Sequence, residues 1–237
     1  MNDLHHESEA CDSWFSRLFS QVTEHSPDLL LLLGDLAHRG ELESLASIKR
    51  FAQGTGIPFH VVPGNHDKDQ EQTPELYESV FPDSRNYWFS IGAWQFVGLD
   101  TTDCTPANNW HDTHVSEQTL SWLDATLPEL DPRGPTILFT HFPLSQDIEY
   151  PFEQNMTPIN ANCLLDKAMQ HLNLQVVLSG HFHGSTLHSY RDVALSTGAC
   201  CSRVDHNFGE DPAKGWRLCT AHADGRFDIE FVPFDGN

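Results

Sequence analysis

The sequence predicts an α/β protein in which sheets pack as a sandwich with helices outside. Three observations carry this. Apolar runs with strand-like and helix-like periods alternate over the first three quarters of the chain. Several of the short runs are apolar on both faces, as buried parallel strands are. The last quarter turns to closely spaced strands with tight turns, so the sheets hold both parallel and antiparallel neighbours. The chain has 237 residues, 39% hydrophobic and 20% charged, a globular composition. Its length and lack of an internal linker suit one domain over residues 1–237.

The elements follow in order. Trp14, Phe15, Leu18, Phe19 and Val22 recur at three- and four-residue spacing and predict an amphipathic helix that ends before Pro27. Residues 29–33 are an unbroken leucine run closed by Gly34 and Asp35, a fully buried strand. Leu42, Leu45, Ile48, Phe51 and Ala52 mark a second helix, stopped by Gly54 and Gly56. Residues 57–62 form the next strand, ending at Pro63-Gly64, and Pro74 opens a short helix. Residues 87–89 and 94–99 flank Gly92-Ala93 and read as a hairpin. Ser116 caps a helix carrying Leu120, Leu123 and Leu127. A strand over 136–139 ends at Thr140-His141, a helix covers 160–172, and a strand over 175–178 ends at Ser179-Gly180-His181. Strands over 186–190, 193–198, 215–222 and 227–233 complete the chain, turning at Arg191-Asp192 and Asp224-Gly225.

Composition narrows the function. Thirteen Lys and Arg against 34 Asp and Glu give a formal net charge of −21. That argues against a nucleic-acid polymer and against docking on an anionic membrane as partners, since both need basic surface. No apolar run approaches the roughly 18 residues of a membrane span. Fifteen histidines on so acidic a chain point to metal. The six cysteines form no C-x-x-C pair, which disfavours a zinc knuckle, and their scatter suits a reducing, cytoplasmic compartment.

The chemistry-bearing residues gather where strands end, the place where open α/β sheets bind ligands. Asp3-Leu4-His5 opens the chain; Gly34-Asp35, Gly64-Asn65-His66-Asp67, His141 and Gly180-His181-Phe182-His183 each follow an expected strand. Alternate residues of an extended segment point the same way, so Asp-x-His and His-x-His can each send two side chains to one site. Two carboxylates, an amide oxygen and several imidazoles, with no thiolate, suit Mn, Fe or Zn. A carboxylate can bridge two such ions about 3.5–4 Å apart, a clamp for displacement at phosphorus.

In this order the blocks resemble the calcineurin-like metallophosphoesterases, whose pattern runs D-x-H, GD, GNH[DE], H, GH-x-H. The resemblance covers Asp3 to His183. It implies a four-layer α-β-β-α sandwich of two mixed sheets, and two divalent ions. Asp3, His5 and His183 would hold the first ion, Asn65, His141 and His181 the second, and Asp35 would bridge them. His66 would be no ligand but would bind a phosphate oxygen or protonate the leaving group, with Asn65 beside it on the substrate side. The implied reaction is hydrolysis of a small phosphoester by in-line attack of a metal-bridging hydroxide. Asp67 either orients a histidine or is a plain turn residue.

Within the family, Gly34 to Gly40 departs from the GD-x-x-DRG of protein phosphatases: His38 stands for the later Asp, while Arg39 keeps its place. Arg39 is thus either a phosphate contact or a solvated loop residue. The strand end Leu99-Asp100-Thr101 and the helix after Ser116 are most similar to the bacterial class III cyclic-nucleotide phosphodiesterase branch. That branch implies small phosphodiesters, cyclic nucleotides among them, as substrates. A phosphomonoesterase for nucleotides, sugars or proteins is the alternative. A non-catalytic scaffold is a third reading, against which the full ligand set and His66 speak. A homodimer stays open.

Only Met1 and Asn2 precede Asp3. The first strand is therefore expected to be truncated, a signal peptide upstream stays open, and Asp3 and His5 are expected to be loosely held, with a weaker first metal site. His111, His114 and His206 read as surface residues of polar loops, with the substrate mouth as their alternative place, and Cys200-Cys201 as core. Tyr87, Trp88, Trp94 and Trp110 read as core rather than as a base-stacking platform. The stretch 147–160 is a candidate substrate-facing lid.

Overall fold

A computed structural model describes residues 1–69, 73–103, 112–145 and 156–236. The stretches containing Trp110 and His111, and most of the candidate lid, lie outside the described residues. Helices α1 (Asp12–Glu24) and α2 (Leu42–Gly54) fall where the helical spacing placed them. The α4 helix (Glu117–Thr126) starts as expected, with Ser116 Oγ accepting the Thr119 N–H. The short α3 (Glu75–Val80) and the longer α5 (Ala161–His171) complete the set.

One mixed sheet has six strands in the order β3-β4-β5-β6-β8-β7. These are β3 (Tyr87–Ile91), β4 (Trp94–Leu99), β5 (Pro135–Thr140), β6 (Asn173–Ser179), β7 (Thr186–Tyr190) and β8 (Val193–Thr197). Neighbours from β4 through β8 are parallel, and the outer strands β3 and β7 are antiparallel. The second β layer is two pairs: β1 (Leu30–Leu33) runs parallel with β2 (Phe59–Val62), and β9 (Gly215–Ala221) antiparallel with β10 (Phe227–Pro233).

Three apolar clusters fill the spaces between four layers. Phe15, Leu18, Leu45 and Ile48 of α1 and α2 pack on Leu30, Leu32 and Val61 and on Trp216 of β9. Leu33 and Val62, with Ile229 of β10, face Phe96, Ile137, Phe139 and Leu178 of the six-stranded sheet. The other face of that sheet, through Val97, Leu138 and Val177, packs on Leu123 of α4 and Leu164, Leu165 and Ala168 of α5. The order is helices, split β layer, six-stranded sheet, helices. Burial on this pattern is the main driving force for the fold.

Residues 1–6 form no strand. They run beside the end of β1: Leu33 N–H donates to Met1 O, Asp3 N–H to Gly34 O and His5 N–H to Asp35 O. On their other side Cys201 N–H donates to Asn2 O, and Arg217 reaches Asn2 Oδ1 at 3.1 Å. The expected looseness is corrected here, since Asp3 and His5 are 0% and 1% exposed. Backbone bonds on two sides hold the segment without a regular strand.

Candidate active site

The ends of β1, β2, β5 and β6 meet at one edge where the two β layers touch. Gly180 N–H donates to His141 O, and the imidazole of His141 donates from Nδ1 to Leu33 O at 2.8 Å, joining β5 to β1. Close approach demands glycine at two points. A Cβ on Gly64 would lie 2.1 Å from the Asp35 backbone nitrogen, and one on Gly34, which has φ +77°, would lie 2.6 Å from His141 Nδ1.

Two donor groups that share Asp35 form on this floor, beside a third set of His5, His38 and His66. Asp3, His5, Asp35 and His183 have ligand atoms within 4.8 Å of one another, and so do Asp35, His141 and His181. His5 Nε2 lies 3.2 Å from His183 Nε2 and 3.5 Å from Asp35 Oδ2. His183 Nε2 lies 3.2 Å from Asp3 Oδ1. In the second group, His141 Nε2 lies 3.3 Å from Asp35 Oδ2 and 3.1 Å from Asn65 Oδ1. Asp35 is shared, and Asn65 completes the oxygen donors.

The way each pair gets there corrects the expectation of alternation along an extended segment. Asp3, His5, Asp35, His181 and His183 all lie in the left-handed region, with φ of 52°, 47°, 50°, 65° and 51°. Such backbone costs about 1–3 kcal/mol per residue and persists where the surroundings over-determine it. Here the Asp3 carboxylate accepts the His181 N–H at 3.0 Å and the Asn2 amide at 2.7 Å, and Asp35 Oδ1 accepts the His66 N–H at 2.9 Å.

The donor set fits divalent cations. His141 spends its Nδ1–H on Leu33 O, and His183 spends its Nδ1–H on His206 O at 2.9 Å. The Nε2 of each then faces oxygen acceptors with a lone pair, an arrangement that needs a proton or a cation between them. The ring nitrogen His5 Nδ1 is buried with no hydrogen-bond partner. Without cations, protons take their place. Burial pulls the His141 imidazole down, yet Asp35 outweighs it and raises the group to about 9; Asp3 likewise raises His183 against its burial. Burial opposes ionisation of Asp3 and Asp35, but the neighbouring imidazoles hold both below the usual carboxylate range. His5 and His181 are driven down by burial, His5 to about 3.

His66 stands beside these groups. Its Nδ1 donates to His38 O at 2.8 Å, which fixes the neutral ring's tautomer with the lone pair on Nε2. Burial lowers its pKa, but the Asp35 charge and the His38 carbonyl outweigh this and raise it. The partner that orients His66 is thus the backbone carbonyl of His38 and not a carboxylate. Its ring lies 5.8 Å from that of His66 and 5.6 Å from that of His5. Asp67 is fully buried, and its charge helps to raise the pKa of His66. It accepts the Ala37 N–H on Oδ1 and the Gly64 N–H on Oδ2, both at 2.8 Å, and ties the two loops together. Burial and Asp35 raise it to about 7. Arg39 is exposed, its backbone N–H bonded to Glu41 Oε2, and its guanidinium is not brought to the cavity.

Above the floor opens a cavity of about 470 Å³ that Asp35, Asn65, His66, His181 and His183 help to line. One wall is apolar: Met156, Phe182 and Phe208 pack together, the two rings 5.4 Å apart. Phe208 belongs to a loop, His206 to Glu210, that continues the lining. His206 is exposed, as expected, and also lines the cavity, the other place left open for it. Phe208, Glu210 and the nearby Asp205 were not anticipated at all. No spacing rule marks them, because a loop fixes their places. Tyr87 and Trp94 are core residues, bonded to Val61 O and His222 O, and Cys200 and Cys201 are fully buried.

A family model described as calcineurin-like phosphoesterase matches residues 1–185. A probable cyclic nucleotide phosphodiesterase of Synechococcus sp. is 29% identical over 92% of this chain and 82% of that protein. A 3',5'-cyclic-nucleotide phosphodiesterase of Nostoc sp. is 28% identical over 93% and 83%. The 3',5'-cyclic adenosine monophosphate phosphodiesterase CpdA of Escherichia coli is 27% identical over 87% and 74%. Among solved structures, a dimetal phosphatase from Danio rerio shares the fold, with a TM-score of 0.70 and 16% identity over 94% of this chain and 86% of that one. By the matched family model and the strand-end blocks it spans, the chain belongs to the calcineurin-like phosphoesterase family of hydrolases.

Proposed function

We propose that this protein hydrolyses small phosphodiesters, cyclic nucleotides among them, with two divalent ions drawn from Mn, Fe and Zn. The observation that carries this is the convergence of two donor groups on the shared Asp35, with His66 at their side, on the floor of one cavity. Asp3, His5 and His183 would hold one ion, Asn65, His141 and His181 the other. Bound there, the ions would supply charge neutralisation on phosphate oxygens and a water activated near neutral pH. The chain's own residues do the rest. The Nδ1–H of His66 is locked on His38 O, so its Nε2 is the atom turned to the substrate, and in the charged ring that the Asp35 carboxylate favours it would give its proton to the leaving-group oxygen. Asp67 keeps the loops of Asp35 and His66 in register through backbone N–H groups.

The apolar wall of Met156, Phe182 and Phe208 favours an ester with a flat, apolar group such as a nucleobase. The diester relatives support the same substrate class. No described helix is long and apolar enough to cross a membrane. The five described cysteines are free thiols, which supports a cytoplasmic place.

A panel of cyclic AMP, an aryl phosphodiester and the matching monoester, assayed with Mn-loaded protein, tests the reading. Diester turnover in excess of monoester turnover is expected; a strong monoester preference would replace it with a phosphomonoesterase.

A further inference from the structure

We infer that Asp205 and Glu210 select against doubly charged phosphomonoesters, making the acidic wall of the cavity a charge filter that admits singly charged diesters. The inference rests on the phosphodiesterase reading and concerns the same site. Asp205 Oδ2 lies 3.6 Å from His5 Nε2, and Oδ1 lies 4.0 Å from His183 Nδ1, so its carboxylate borders the first donor group. It is held there. Ser202 Oγ accepts the Asp205 N–H at 2.8 Å, Lys214 Nζ donates to Asp205 O at 2.7 Å, and Asp205 Oδ1 accepts the His206 N–H at 2.9 Å. Its side chain is 34% exposed and stands next to the cavity lining, adjoining His206. Glu210, exposed, lies on the lip of the same wall, in left-handed backbone with φ 59°.

One cation, Lys214, stands on this loop, and it is not among the residues that line the cavity. The cavity lining contains no Lys or Arg among the described residues. The stretches 70–72, 104–111 and 146–155 contain none in their sequence. Eleven of the 13 Lys and Arg side chains have partners elsewhere. Lys214 donates to Cys200 Sγ and Asp205 O, keeps its charge there and offsets part of the Asp205 carboxylate. The remaining one is Arg39, which is exposed and away from the lining. Any positive charge that meets a phosphate must come from the ions and from His66. Asp3 and Asp35 already offset part of it, and Asp205 and Glu210 offset more. A diester brings one negative charge; a monoester at pH 8 brings two, its second pKa being about 6. The second charge meets the wall with no partner. A unit charge on a solvent-washed wall is worth roughly a factor of five to ten, and less as salt rises.

The test compares wild type with Asp205→Asn, Glu210→Gln and the double variant, all Mn-loaded, at pH 8 and low salt. Substrates are bis(p-nitrophenyl) phosphate and p-nitrophenyl phosphate. The ratio of diester to monoester kcat/KM should fall about tenfold in Asp205→Asn, less in Glu210→Gln and furthest in the double variant, mostly through KM for the monoester. Calorimetry gives a readout apart from turnover: inorganic phosphate should bind Asp205→Asn more tightly while dimethyl phosphate changes little. Metal content should match wild type. An unchanged ratio and unchanged phosphate affinity would overturn the filter, and so would loss of metal in Asp205→Asn, which would make that residue a ligand. A wild type that prefers the monoester would instead overturn the phosphodiesterase reading, while the variant ratios would still report on the wall.

Discussion

The floor and the wall of the cavity are built by different means. On the floor, Asp3, Asp35 and His141 are buried, and each is fixed by backbone partners from another element. Five floor residues accept left-handed backbone to reach their places. On the wall, residues His206 to Glu210 form a loop with a single short 3₁₀ turn, and Asp205, His206, Gly209 and Glu210 keep solvent contact. A strained, over-determined floor suits chemistry, which needs fixed geometry. An open loop suits selection among substrates, because it changes without disturbing the core. The floor should therefore control whether phosphoesters are cleaved, and the wall which ones.

The largest expected effect sharpens this division on the floor. His66→Ala should cut kcat by about 10²–10⁴-fold, as loss of a general acid does, with metal content and diester preference unchanged. Metal analysis beside steady-state kinetics reads both; a kcat within a factor of a few of wild type would remove His66 from the chemistry.

Next comes the tie beneath the floor. Asp67→Ala would leave the buried Ala37 and Gly64 N–H groups without their acceptor, at about 1–3 kcal/mol each. Thermal denaturation of the metal-free protein should show a Tm drop of several degrees. An unchanged Tm would mean that the loops hold without it.

A smaller effect belongs to the wall. Phe208→Ala removes one ring of the apolar face and should raise KM for cyclic AMP about five- to tenfold, with kcat little altered. A drop confined to kcat would move Phe208 from selection to chemistry and blur the division.

The smallest lies away from the cavity. His60 stacks on Phe89, ring centroids 3.7 Å apart, and burial lowers its pKa below the ordinary imidazole value. A group depressed in the fold stays neutral there while the unfolded chain takes up its proton, so stability is lost as pH falls through about 6.5. His60→Phe should gain about 1–2 °C in Tm relative to wild type on going from pH 8 to pH 5.5. An equal offset at both pH values would contradict the assignment.

The same division separates what the sequence made legible from what it did not. The leucine run of β1, the Ser116 cap and the amphipathic α1 and α2 obey local rules of period and capping, so they were readable. The floor residues were readable because each block sits at a strand end, and parallel strands bring their ends to one edge. What local rules missed is long-range. Asp205 reaches His5 across the fold from a loop whose conformation depends on Ser202, Asn207 and Lys214. Asp67 looks like a turn residue in sequence, and only the approach of Ala37 gives its carboxylate a second partner. Asp3 and His5 were expected to fray because strand logic asks for apolar residues before them. Bonds to β1 on one side and Cys201 on the other replace that need.

The most direct test of the account is a metal titration of the chelator-stripped protein, followed by turnover of an aryl phosphodiester. The account predicts no turnover in the stripped protein, activity that rises with added Mn and saturates at two ions per chain, and one fewer ion retained by His141→Ala. Undiminished hydrolysis by the stripped protein, or full activity with no bound divalent ion, would contradict it.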